Sequence, residues 1–104
     1  MERAKKIETM ARYLDLIVRE HFWTQGPKFI NVFDDLDNYQ CELIIDTAKS
    51  LILSRDNVAL HPGPFIDAVL KNDLAKSLNE ADEVNRCALY WYVMLAKNVD
   101  KLNT

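Results

Sequence analysis

One segment of the sequence has the composition of an anion-binding turn. Pro62-Gly63-Pro64 interrupts a helical pattern, and Pro64 suits the first turn of a helix, where no backbone N–H is needed. The unpaired N–H groups at such a helix start attract anions. Arg55 and His61 are close in sequence and would supply positive charge. The pattern therefore predicts a small-anion site at this turn, although a tight turn with Phe65 in the core explains the same residues.

The other reactive residue types lack the spacing that catalysis or metal binding requires. Cys41 and Cys87 form no Cys-x-x-Cys pair, and the two histidines have no neighbouring metal-ligand type at a suitable interval. The acids of Asp34-Asp35-Leu36-Asp37 do not match a calcium loop, since Gln40 stands where that loop needs glycine. Phosphate-binding glycine loops and serine nucleophile signatures are absent as well. We therefore predict no enzyme, no catalytic residues, no metal and no cofactor.

The segment from Phe29 to Ala48 is strongly acidic. It carries five acids and no basic residue. A solvated helix face explains this charge, and so does an attraction for a basic protein partner. Both interpretations remain open from the sequence.

Composition places the chain among ordinary globular domains. Its 104 residues are 49% hydrophobic and 28% charged, which predicts a single domain over residues 1–104. Because 13 basic residues face 16 acids, the net charge is −3, and nucleic acid binding is not expected. No apolar run reaches the roughly 18 residues that a membrane span requires. We expect a cytoplasmic protein without a membrane partner.

Glycine and proline are confined to two short turns, which leaves long uninterrupted segments. Apolar residues recur in these segments at steps of three and four, so the sequence predicts an all-α fold. We expect a compact bundle of four to five helices with little or no strand. Long helices are predicted near Arg3–Phe22, Leu36–Ser54 and Glu83–Asn98, with shorter ones between Pro64 and Asn79.

The predicted helix ends follow from local chemistry. Gly26 is expected to end the first helix in a left-handed conformation, with Pro27 blocking its continuation. Carboxylates at helix starts accept backbone N–H groups, so the predicted caps are Asp34/Asp35, Asn72-Asp73 and Asp82.

The last predicted helix is apolar over an unusually wide arc. Residues 91–94 cover most of a turn without a charge, and Tyr90 and Met94 point away from the line through Trp91. A surface helix normally keeps a polar side. We therefore expect a homodimer or a larger homo-oligomer.

The region from His61 to about Asn98 resembles a group of small uncharacterised bacteriophage proteins. These typically read Pro-Gly-small-Phe, Ala-Val-Leu, Asn-Asp-Leu, Ala-Asp and Asn, and the corresponding residues here are Pro62–Phe65, Ala68–Leu70, Asn72–Leu74, Ala81-Asp82 and Asn85. Pro64 stands where the group usually has serine. The resemblance implies a phage or mobile-element origin, and therefore the cytoplasm of a bacterial host.

Two functions are compatible with these patterns. The first is a non-enzymatic phage-type accessory protein, acting in counter-defence or host takeover, that binds and sequesters a small anionic ligand such as a nucleotide signal. Its predicted ligand-binding residues are Arg55, His61, Gly63, Pro64, Phe65, Asn72, Asp82 and Asn85. The alternative is an inhibitor that contacts a host enzyme through an acidic helical face.

Overall fold

The computed structural model describes residues 2–56 and 63–100, and within these ranges it contains six α-helices, one 3-10 turn and no strand. The predicted all-α fold is confirmed. Along the chain the elements are α1 (Glu2–Phe29), the 3-10 turn (Phe33–Asp35), α2 (Asn38–Arg55), α3 (Pro64–Leu70), α4 (Leu74–Glu80), α5 (Glu83–Cys87) and α6 (Leu89–Asn98). None of the described helices is long and apolar enough to cross a membrane.

The first helix runs past the predicted stop. Gly26 is helical and not left-handed, and Pro27 lies inside the last turn of α1. Glycine is needed there because a Cβ at Gly26 would lie 2.6 Å from Cε2 of Phe33. The left-handed residue that turns the chain is Val32, at φ 55°. Tertiary packing of Phe33 onto α1 therefore overrides the Gly-Pro stop signal.

The N-caps of α2, α4 and α5 are aspartates, with one change from the prediction. Asp37, and not Asp34 or Asp35, caps α2: its carboxylate accepts from the backbone N–H of Gln40, whose side chain accepts from the Asp37 N–H. This reciprocal pair is a capping box. Asp73 and Asp82 cap α4 and α5 as predicted.

The single predicted helix over Glu83–Asn98 is two helices. Ala88, at φ −100° and ψ 1°, separates α5 from α6. The side chain of Ala88 is fully buried. This break raises the number of described helices to six, one more than the largest number predicted.

A single core lies between α1, α2 and α6. It is formed by side chains with almost no exposure, chief among them Leu14, Val18, Phe22, Ile44, Ile45, Ala48, Leu51, Ile52, Trp91, Tyr92 and Leu95. Each fully buried large apolar side chain contributes about 1.5–3 kcal/mol. The spacing of these residues is the helical period seen in the sequence.

Charged residues join the outer edges of α1 and α2. Arg19 donates to Glu42 at 2.6 Å and to Asp15 at 3.3 Å, and Lys49 donates to Asp15 at 2.8 Å. Hydrogen bonds from Arg19 and Lys49 hold the pKa of Asp15 below its ordinary value. These contacts fix the register of the two helices.

The wide apolar arc of α6 is covered largely within the monomer. Trp91 and Tyr92 are fully buried, and Val93 and Met94 are half-buried. Tyr90 remains 62% exposed. Homo-oligomerisation stays a prediction, and the apolar surface left for it centres on Tyr90.

Candidate functional site

Arg55, predicted as a charge partner for an anion, has a structural role at the end of α2. Its Nη1 donates to the carbonyls of Ala96 and Val99, both at 2.7 Å, and its Nη2 donates to that of Asp100 at 3.2 Å. Its Nε and Nη2 also donate to the Asp56 carboxylate at 2.8 Å. A guanidinium has five N–H donors, and all five are used here. Arg55 therefore joins the carboxyl ends of α2 and α6.

The predicted anion-binding turn is only partly within the described residues, because His61 lies outside them. Gly63 precedes α3 at φ −62° without a side-chain cap, and Pro64 occupies its first turn as predicted. Asp67 pairs with Lys71 at 3.1 Å and so faces the other end of α3. With only seven residues, α3 has a small dipole. An anion at this turn stays a prediction.

Three further predicted residues meet around the buried Tyr92. Its hydroxyl donates to Oδ1 of Asn85 at 2.6 Å, and the backbone N–H of Asn85 donates to Asp82 at 2.8 Å. The ring of Phe65 lies edge-on to Tyr92, with 5.7 Å between centroids. Burial raises the pKa of Tyr92, so its hydroxyl remains a donor. These contacts hold α3, α5 and α6 together.

Asn72, the remaining predicted residue, sits in the turn between α3 and α4. It is exposed and adopts a left-handed conformation with φ 59°, which asparagine tolerates better than most residues. The left-handed backbone conformation is enough to explain why an asparagine stands at this position.

His21 and the two cysteines are placed as packing residues. Trp91 Nε1 donates to Nδ1 of His21 at 2.8 Å, and burial lowers the pKa of His21. Burial also raises the pKa of the Cys41 and Cys87 thiols, which disfavours the nucleophilic thiolate. In the described ranges no three histidine, cysteine or acidic side chains are grouped to hold a metal ion.

An apolar groove that the sequence did not reveal lies between the end of α1, α4 and α6. We call it the arginine groove; its volume is about 620 Å³ and it is lined by Phe29, Asn31, Leu74, Arg86, Cys87, Leu89, Tyr90 and Val93. Leu74 and Tyr90 are 65% and 62% exposed. The second apolar face of the last helix was the one sequence signal for it. Which element lies beside that face is a tertiary property.

Arg86 is the one charged residue of this lining. Its Nε donates to the carbonyl of Leu78 at 3.2 Å, which anchors the guanidinium to the end of α4. Arg86 forms no ion pair with any residue in the described part of the chain. The two Nη groups therefore remain available for an anion.

A second, smaller groove lies on the other side of α5. We call it the acidic groove; it has a volume of about 350 Å³ and is lined by Val32, Asp35, Leu36, Gln40, Glu83, Val84 and Cys87.

Two acids of the predicted acidic segment, Phe29–Ala48, form ion pairs outside this groove: Glu42 pairs with Arg19, and Asp46 pairs with Lys49. These cations make the negative potential around the acidic segment weaker than its five acids alone would produce.

No protein-family model, no curated protein and no solved structure matches this chain. The resemblance to bacteriophage proteins therefore stays a prediction.

Proposed function

We propose that this chain is a non-enzymatic accessory protein that binds and sequesters a small anionic ligand in the arginine groove. The observation that carries this proposal is Arg86, a cation among apolar walls that forms no ion pair with the described residues. The groove volume of about 620 Å³ falls within the usual range of about 300–1,000 Å³ for small-molecule sites. Apolar walls with few polar groups are typical of such sites.

The proposal moves the site away from the residues predicted for it. Arg55 uses its donors on Asp56 and on the end of α6. Within the described part of the chain, Arg86 donates from its side chain only to the Leu78 carbonyl, and its neighbours Tyr90 and Leu74 are exposed. The resemblance to bacteriophage proteins supports a role in counter-defence or host takeover, where removing a signalling molecule needs binding and no catalysis.

Calorimetric titration tests this proposal with nucleotides and with small organic acids. We expect one class of anion to bind the wild-type protein and to lose about tenfold or more in affinity to Arg86→Gln, because hydrogen bonds to a charged group contribute about 1.5–3 kcal/mol. The matched control is Lys76→Gln, which removes an exposed charge on α4 outside the groove lining. Equal binding by Arg86→Gln and wild type would contradict the proposal.

A second candidate function is inhibition of a host enzyme through the acidic face. Asp34 and Asp35 are exposed, and neither pairs with a basic residue in the described ranges. Val32 and Tyr39 beside them are 59% and 72% exposed, so charge and apolar area coincide. A basic protein surface would complement both.

Affinity capture from a bacterial lysate tests this second function. We expect a captured protein to be lost with Asp34→Asn/Asp35→Asn, which leaves the cap at Asp37 intact. The control, Glu20→Gln/Glu80→Gln, removes the same charge from exposed positions elsewhere. Equal capture by both double variants would remove the acidic face from consideration.

A further inference from the structure

We infer that the ligand of the arginine groove is a carboxylic acid with an extended apolar body, such as a medium-chain acyl carboxylate. This inference rests on the proposed function and names the chemical class of its ligand. The inference rests on the lining of this groove, which combines five apolar side chains with one guanidinium.

The walls favour a flexible hydrocarbon body over a nucleobase. The apolar part of the lining offers one hydrogen-bonding side-chain group, the hydroxyl of Tyr90. It consists of Phe29, Leu74, Leu89, Tyr90 and Val93. The rings of Phe29 and Tyr90 already contact each other, with centroids 5.6 Å apart and planes tilted by 36°. A base therefore has no slot between the two rings, whereas an alkyl chain can lie along them.

The charge of the lining favours one negative charge on the ligand. Arg86 presents a planar fork that matches a carboxylate in a bidentate pair. A phosphate monoester brings up to two charges, and Arg86 is the one cation of the lining to meet them. Glu83 lies on the same five-residue helix as Arg86 and lines the acidic groove. Its carboxylate adds negative potential to that groove.

Polar partners in the groove are few, which matches a ligand with one polar end. Besides Arg86, the lining holds the amide of Asn31 and the thiol of Cys87. That thiol already donates to the Val84 carbonyl, with 2.9 Å between Sγ and the oxygen. A carboxylate accepts hydrogen bonds, and the N–H groups of Arg86 and of the Asn31 amide can donate them.

The inference is tested by titrating octanoate, decanoate, 1-decanol, AMP and a cyclic dinucleotide at pH 7.5, with the acids below their micellar concentrations. We expect decanoate to bind about four- to fifteenfold more tightly than octanoate, because each methylene adds a factor of about two to four. Decanoate should also lose about tenfold or more in affinity to Arg86→Gln, while 1-decanol should lose little. Leu74→Asn should weaken both ligands, and Lys76→Gln should weaken neither.

The outcomes separate this inference from the proposed function. Binding of AMP or the cyclic dinucleotide that depends on Arg86, without binding of decanoate, overturns the ligand class and leaves the proposed function standing. If no probe binds, both fail. Decanoate binding that is unchanged in Arg86→Gln also overturns the inference, since it would be adsorption to apolar surface. Arg86 and Leu74 are exposed, so unfolding midpoints of the variants should match wild type.

Discussion

Replacing Arg55 with methionine removes the guanidinium that joins the ends of α2 and α6. The change keeps most of the apolar stem and deletes all five hydrogen bonds, two of them to the Asp56 carboxylate. The side chains of Arg55 and Asp56 are only 19% and 3% exposed. Removing one partner of a buried ion pair costs about 3–5 kcal/mol, since the other charge stays buried.

We expect Arg55→Met to lower the free energy of unfolding by about 3 kcal/mol. This is a large share of the roughly 5–15 kcal/mol that stabilises a domain. For a chain of this length the midpoint of thermal unfolding should fall by about 12–24 °C. Urea unfolding followed by circular dichroism at 222 nm measures the change directly.

Two companion variants decide whether the buried pair is the cause. Arg55→Met/Asp56→Asn should recover at least about 1 kcal/mol, because the buried charge is gone. Lys71→Met, at an exposed pair with Asp67, should cost less than about 1 kcal/mol. A loss below about 1 kcal/mol in Arg55→Met would refute the reasoning. Loss of ligand binding in an Arg55 variant is uninformative unless its fold is first shown to be intact.

Three further predictions concern single residues. Burial lowers the pKa of His21 below its ordinary 6.5, so below that pH the unfolded chain binds more protons than the folded one. Stability should therefore be full above about pH 6.5 and decline as the pH falls below it; urea midpoints should show this slope in wild type and lose it in His21→Phe. Gly26→Ala should destabilise by about 1–3 kcal/mol despite its better helix propensity, since its Cβ would meet Phe33, and unchanged urea unfolding would contradict this. Val32→Gly should raise the free energy of unfolding by about 1 kcal/mol, because glycine has no Cβ to strain the left-handed conformation at this position. Val32→Ala keeps the Cβ and should not give this gain.

Sequence reasoning did not locate the candidate site, since none of the residues predicted for ligand binding lines the arginine groove. The sequence indicated a helix start without an acidic cap at Gly63, and the fold has it. It could not indicate that Arg55 would donate hydrogen bonds to the end of α6, because Arg55 and Ala96 are 41 residues apart in the sequence. Arg86 gave no signal, since a lone arginine in an amphipathic helix is ordinary. The role we propose for it rests on its contact with Leu78 and on the groove that it lines with Tyr90.

The all-α fold and most of its helices follow from the sequence because their causes are local. Apolar spacing of three and four, the aspartate caps at Asp73 and Asp82, and proline at the start of α3 act within one or two turns. The extension of α1 through Gly26 and the break at Ala88 depend on which surfaces meet. Both grooves likewise exist only once α5 is seated between its neighbours. Tertiary packing decided these features, since contacts between distant residues outweigh weak local preferences.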